Sequence, residues 1–176
     1  GDPVIYSQST PYQRLVLTRW HDDLRLYING NLQFSSRDEY RYHEALVHPL
    51  MANVPQAKRV LILGGGDGLA LREVLRYPQV EQVILVDLDP AMTDLFSSND
   101  QLMQLNQRSF LDRRVQVVNA DAAQWLQQHR GLFDAILVDF PDPSSFGLGK
   151  LYSTPVYRLM RQHLQPHGKM AVQSTS

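Results

Sequence analysis

The chain has no cysteine, which excludes a disulfide framework and thiolate metal centres and fits a reducing compartment. It has no apolar run approaching the ~20 residues of a membrane span, so we expect no membrane contact from this stretch itself. Neither sign of charge dominates. Against 17 Lys and Arg stand 18 Asp and Glu, a net charge of −1, which leaves no general nucleic-acid surface. Repeats and low-complexity segments are lacking, and so is an initiating methionine: the sequence opens on Gly1 and stops at "KMAVQSTS", where an apolar strand finishes. Both ends lead us to expect a fragment truncated at the C-terminus. What is there, 176 residues of which 43% are hydrophobic, suffices for one sizeable core and a small appendage.

Residues 4–34 read as β. "RLVLTRW" and "LRLYI" are short apolar-rich runs, and Asn29-Gly30 between "LYI" and "NLQF" is a strong hairpin signal, because both residues tolerate φ > 0 in a type I′ turn. "SSRDEYRYHEALVHPL" reads as a helix capped by Ser35 or Ser36, with Asp38 and Glu39 as first-turn acids and Pro49 near its end. From residue 59 the runs "RVLIL", "QVILVD", "VQVVN", "DAILVD" and "KMAVQ" have the continuous apolar character of parallel strands covered on both faces. Helical stretches over about 68–77, 91–105, 121–129 and 154–164 separate them.

This alternation predicts an α/β fold: a Rossmann-like, class I methyltransferase-like, doubly wound parallel sheet in the order 3-2-1-4-5, with a small N-terminal antiparallel β-meander. We expect a meander unit over 1–35 and a nucleoside-binding unit over 36–176. With nothing beyond it, "KMAVQSTS" would form an exposed apolar edge, a template for pairing with another chain. Trp20 and Trp125 are expected in the core.

Ligands of such sheets bind at the carboxyl ends of the strands. In "LILGGGDGLALREVL", Gly64, Gly66 and Gly68 permit a tight strand-to-helix turn with close backbone approach to a ligand. The dinucleotide fingerprint would need glycine at Leu69. Asp87, ending the second strand about 20 residues on, suits ribose hydroxyls, while Asp89 before Pro90 suits a helix cap. Asp121 after the third strand either meets an adenine amine or caps the next helix. The ligand so far is an adenosine without pyrophosphate.

A carboxylate at Asp67, inside the glycine turn, repels phosphate. "DAILVDFPDPSS" adds Asp139 and Asp142 at the same sheet edge, on a loop held by two prolines. Acids that converge repel unless a cation relieves them. A diamine or polyamine is such a cation, and an amine nucleophile must lose a proton before attack, a task for Asp139 or Asp142. In "HEALVH" the histidines His43 and His48 stand five apart, which denies them the i, i+4 face of a zinc helix. His48 reads as a helix-end residue, and His43 as either a packed interior histidine or a site residue.

Together "GGGDG" followed by "REVL", "DEYRYHE", "YQ" near the start and "D-x-x-D-P" after the fourth strand resemble the spermidine synthase family, the polyamine aminopropyltransferases, over nearly the whole chain. The resemblance implies a transferase of polyamine biosynthesis that moves the aminopropyl group of decarboxylated S-adenosylmethionine, a co-substrate, to putrescine or a related amine. No metal and no resident cofactor are implied. It implies nucleoside contacts from Gln13, Asp87, Asp121 and Ala122, an amine site of Tyr42, His43, Asp67 and Asp142, proton acceptance by Asp139, and closure by Tyr152. Asp87 stands where the family usually has glutamate, and "SSFGLGK" where it often has a Gly-Pro loop. "VDLDPAMTDLF" and "QSTS" are similar to a bacterial branch with transmembrane helices beside this domain, which implies a cytoplasmic domain of a protein attached to the inner membrane; a homodimer is the expected assembly. The rival readings are an S-adenosylmethionine-dependent methyltransferase, whose usual acid two residues before the first glycine is here Ile62, and a domain that binds nucleoside or polyamine without turnover.

Overall fold

The computed structural model describes residues 2–140 and 155–173. Four antiparallel strands open the chain: β1 (Val4–Ser9), β2 (Arg14–Trp20), β3 (Asp23–Ile28) and β4 (Asn31–Ser35), paired in sequence order. The β3–β4 hairpin turns at Asn29 and Gly30, with φ of 51° and 81°. Helix α1 (Glu39–Ala52) leads into a parallel sheet ordered β7-β6-β5-β8-β9, the expected order 3-2-1-4-5. Its strands are β5 (Arg59–Gly64), β6 (Gln82–Val86), β7 (Val115–Val118), β8 (Phe133–Asp139) and β9 (Leu164–Val172). The connecting helices are α2 (Leu69–Val74), α3 (Pro90–Ser98), α4 (Asp100–Leu105), α5 (Ala122–Gln128) and α6 (Pro155–Gln162).

Alternation along β5 explains its unbroken apolar run. Val60 and Ile62 face a cluster with Val47, Leu50, Met51, Leu71 and Val74 of α1 and α2. Leu61 and Leu63 face the opposite cluster, with Leu126 of α5 and Met160 of α6. A third cluster joins the meander to the helices: Leu15, Leu17, Leu26 and Phe34 pack on Leu69, Phe96 and Leu102. No helix among the described residues is long and apolar enough to cross a membrane.

Several local expectations need correction. Neither Ser35 nor Ser36 caps α1. Ser35 donates to Asp23 (2.6 Å) and Ser36 accepts from the Leu24 amide (2.9 Å), so both hold the meander, and the cap residue Asp38 makes no side-chain bond. Pro49 does lie near the end of α1, which continues to Ala52 because burial of Leu50 and Met51 holds the last turn against proline's lost donor. His48 therefore sits within the helix, where it bonds Glu73 and Tyr77. The 91–105 stretch is two helices broken at Asn99, whose extended backbone starts α4 and whose side chain accepts from the Leu102 amide. Helix α2 ends at Val74, and Trp20 is 55% exposed on the meander rather than in the core, whereas Trp125 packs against the sheet.

Phe96 is fully buried where the meander meets the helices, its ring edge-on to Phe34 at 6.0 Å. We expect Phe96→Ala to cost about 3–5 kcal/mol, the range for a truncated buried ring. Chemical denaturation followed by tryptophan fluorescence, with Trp20 reporting from the meander, measures it.

Candidate functional site

Four acids among the described residues lie at the carboxyl end of the parallel sheet. Asp87 follows β6, Asp139 ends β8, Asp67 sits in the β5–α2 turn, and Asp121 follows β7. Asp142 and Tyr152 lie outside the described residues.

The glycine turn allows the close approaches this edge needs. At Gly64 (φ +84°) a Cβ would sit 2.3 Å from the Asp139 carbonyl oxygen, so only glycine lets β5 and β8 meet there. At Gly66 a Cβ would stand 2.6 Å from Asp87 Oδ2. These two close approaches are to the protein's own groups, and they set the two carboxylates in place. Gly68 lines neither cavity described below; it packs beneath Ser109, whose hydroxyl donates to its carbonyl (2.9 Å).

Two adjoining cavities open at this edge. The larger, of 240 Å³, is lined by Tyr12, Gln13, Gly64, Asp87, Ala122 and Phe140 among others, and Asp121 stands on its rim. Its size approaches the roughly 300 Å³ at the lower end of small-molecule sites. The smaller is a recess of 30 Å³ among Gln33, Tyr42, His43, Asp67, Asp139 and Gln173, and the two share Gln13, Ile28 and Asp87. The recess holds a group about the size of water or an ammonium head. Asp89 caps α3 through the Ala91 amide, as its place before Pro90 predicts, and also accepts from Thr10 and Gln13 of the meander (2.8 and 2.9 Å). Asp121 caps α5 through the Gln124 amide while bordering the cavity, so the two alternatives for it are compatible.

The recess is charged, and His43, Asp87 and Asp139 are buried in it. Burial pushes the Asp139 carboxyl up to about 7, with Asp67 and Asp87 adding repulsion against the pull of His43. Burial likewise raises Asp87 to about 6 and raises Asp67, whose Oδ1 accepts from the Leu69 amide (2.9 Å). Tyr42 is pushed above the ordinary phenol value by burial and by Asp139 and Asp67, so it stays a neutral donor. His43 goes the other way from a buried base: burial lowers it, but Glu39, Asp67 and Asp139 together raise it to about 8. Its Nδ1 lies 2.9 Å from Glu39 and its Nε2 3.9 Å from Asp139. One ligand atom each from His43, Asp67 and Asp139 falls within 4.8 Å of the others, a spacing open to a metal ion.

Sequence reasoning missed the groups behind these. Gln173, just past β9, donates from its amide to Asp139 (2.9 Å) and the Phe140 carbonyl and accepts from the Tyr42 hydroxyl, once the amide is turned to satisfy both ends. The signal was available, since Gln173 ends an apolar strand run as Asp87 and Asp139 do. Glu39 is the first-turn acid of α1 as expected, and it is also the i, i+4 partner of His43 and takes both arms of the Arg72 guanidinium (2.7 and 2.9 Å).

A parallel sheet in this order, with a nucleoside-sized cavity beside an acidic recess at its carboxyl edge, defines an α/β protein of the methyltransferase-like class. Its recess is acidic where a methyltransferase has no general need of acids, and the position of the methyltransferase acid is Ile62, fully buried in the core. The chain belongs to the spermine/spermidine synthase family, whose domain model matches residues 39–176. It is 65% identical over its whole length to polyamine aminopropyltransferase 2 of Ralstonia nicotianae, and covers 34% of that protein. It is 51% identical to the polyamine aminopropyltransferase of Leptospira interrogans, with 99% of this chain and 35% of that one aligned. The chain thus spans about a third of the length of these relatives. Among solved structures, the spermidine synthase of Thermotoga maritima superposes with a TM-score of 0.85 at 31% identity, over 96% of this chain and 56% of that one. A spermidine synthase in complex with the transition-state analogue AdoDATO does so with 0.87 at 32%, over 96% and 57%.

Asp87 and Asp139 bind protons more tightly folded than unfolded. The stability they contribute is complete below the ordinary carboxylate value near 4 and is lost as pH rises through about 6 and about 7. Asp139→Asn should therefore gain stability relative to the parent between about pH 5 and about pH 8, by on the order of 1 kcal/mol or more. Thermal unfolding at the two pH values tests this, and an equal difference at both would refute it.

Proposed function

We propose that this chain catalyses aminopropyl transfer from decarboxylated S-adenosylmethionine to putrescine or a related amine, giving spermidine and 5′-methylthioadenosine. The observation that carries the proposal is the acidic recess of Asp67 and Asp139 opening directly into the cavity bordered by Asp87. The adenosine part occupies the larger cavity, with Asp87 and Gln13 toward the ribose and Asp121, Ala122 and Gly64 of the glycine turn beside the nucleoside. An ammonium head of the amine enters the recess among Tyr42, His43 and Asp67. The relatives' names and the analogue bound to a solved neighbour support this reading.

In the reaction the amine nitrogen attacks the aminopropyl carbon next to sulfur. The new C–N bond takes the nitrogen lone pair, and the electrons of the broken C–S bond settle on sulfur, so the sulfonium becomes a neutral thioether. Asp139 accepts the nitrogen's proton. Its pKa near 7 is close to the optimum for a general base at neutral pH. Positive charge moves from sulfur toward nitrogen, where the carboxylates stand, and fixed positioning supplies much of the remaining acceleration. The donor is consumed in each turnover, so it is a co-substrate rather than a resident cofactor, and neither bond change requires a metal.

The meander over 1–35 serves as a wall of the site carried by the catalytic unit of 36–176, Asp142 and Tyr152 complete the amine side, and the assembly is a homodimer. The full protein places this domain in the cytoplasm, attached to the inner membrane through segments outside this sequence. Light scattering after size exclusion tests the dimer, and a monomer at micromolar concentration refutes it.

Replacing Asp139 with Asn removes the base and keeps its shape. We expect turnover to fall about 10²-fold or more while 5′-methylthioadenosine still binds. Near-normal turnover would move the base to Asp142 or to water. Asp67→Asn should weaken putrescine more than 5′-methylthioadenosine; calorimetry with each ligand separates them, and equal losses would remove Asp67 from the amine side.

A further inference from the structure

His43 is 3% exposed and enclosed by charge. From its own helix Glu39 meets it at 2.9 Å, and Tyr42 lies edge-on at 4.8 Å. From the glycine turn Asp67 faces it, from the end of β8 Asp139 at 3.9 Å, and behind Asp139 stands Asp87 of β6. The neighbours from β9 and the meander, Gln173, Gln13 and Gln33, are uncharged. Behind Glu39 the Arg72 guanidinium takes both carboxylate oxygens with its two outer nitrogens and Glu73 with its Nε (2.8 Å), and its plane covers the Tyr40 ring at 4.1 Å. Glu73 in turn meets His48 at 2.9 Å. The result is a row of alternating charge from the recess to the far side of α1.

We propose that Glu39, fixed by the Arg72 fork, is a positioning residue that keeps His43 as the standing cation of the empty recess, and that an entering ammonium group takes over this charge while His43 releases its Nε2 proton to solvent. The inference rests on the amine reading of the recess. The geometry decides which nitrogen titrates. Nδ1 lies 2.9 Å from both the Glu39 carboxylate and the Glu39 carbonyl, two acceptors, so it keeps its hydrogen in either state. Only Nε2, directed at Asp139, can lose one. Arg72 does not deprotonate in proteins, so the proton cannot pass along the row and must leave through the recess. Neutral His43 then turns an Nε2 lone pair toward the recess and accepts an N–H of the ammonium whose charge it had been replacing. A recess of two or three carboxylates with no ligand would otherwise repel itself. The raised value of His43, about 8, agrees with a cation in the empty state.

The first test is the titration of His43 by proton NMR on the ligand-free protein, its resonance assigned by its loss in His43→Gln. In Glu39→Gln the midpoint should fall by one unit or more, and in Glu39→Asp, which keeps the charge, by less. A midpoint unchanged in both variants overturns the positioning role. The second is calorimetry of putrescine binding near pH 7.5 in two buffers of different ionisation enthalpy. The parent should release more protons than His43→Gln, by roughly half a proton or more. Equal release, with putrescine bound by both, overturns the displacement and leaves the amine reading standing. No binding by the parent removes the amine reading and the displacement with it, while the NMR titration still decides whether Glu39 holds His43.

Discussion

Carboxylates drawn together out of water repel one another, and this repulsion organises the carboxyl edge of the sheet. Asp67, Asp87 and Asp139 arrive there from three neighbouring loops, each raised above its ordinary pKa by burial. The fold supports the arrangement with opposed charge placed one layer back. His43 meets Asp139, Glu39 meets His43, and Arg72 meets Glu39 with the paired geometry that makes guanidinium–carboxylate contacts strong. Taking one partner from such a buried row exposes the next to the full desolvation penalty, so the row behaves as a unit rather than as separate pairs.

Topology brings the acids together before any side chain is chosen. All five strands of the sheet run parallel, so the carboxyl ends of β5, β6, β7 and β8 share one edge. The glycines of the β5–α2 turn are the backbone's contribution. Gly64 lets β8 come close enough to put Asp139 beside the turn, and Gly66 leaves room for the Asp87 carboxylate. A site of this kind tolerates little side-chain bulk at its base, because the ligand side and the protein side compete for the same few ångströms.

What was legible in the sequence follows from the range of the interactions involved. Strand order, the Asn29-Gly30 hairpin and the Asp89 cap rest on local patterns or on one near-universal handedness, and these were readable. The acids at strand ends were readable for the same reason, since the end of an apolar run marks the edge. Contacts made across the sequence were not. Arg72 and Glu39 are 33 residues apart, and Gln173 reaches Asp139 only because β9 pairs with β8. Local rules also failed where tertiary contact outweighed them: Ser35 and Ser36 turn to the meander instead of capping α1.

The meander shows why the candidate site cannot be assigned to the parallel sheet alone. Its apolar face shares one core with α2, α3 and α4, and Thr10 and Gln13 bond the same Asp89 that caps α3. The loop that presents Asp87 is thereby tied to both units through one carboxylate. Gln13, between β1 and β2, and Ile28 of β3 also line both cavities, so the meander shares with Asp87 the boundary between the nucleoside-sized space and the acidic recess. Loosening the meander would therefore change the floor position through Asp89 and the wall directly. The sheet supplies the acids of the recess, and the first 35 residues supply part of the boundary between that recess and the larger cavity.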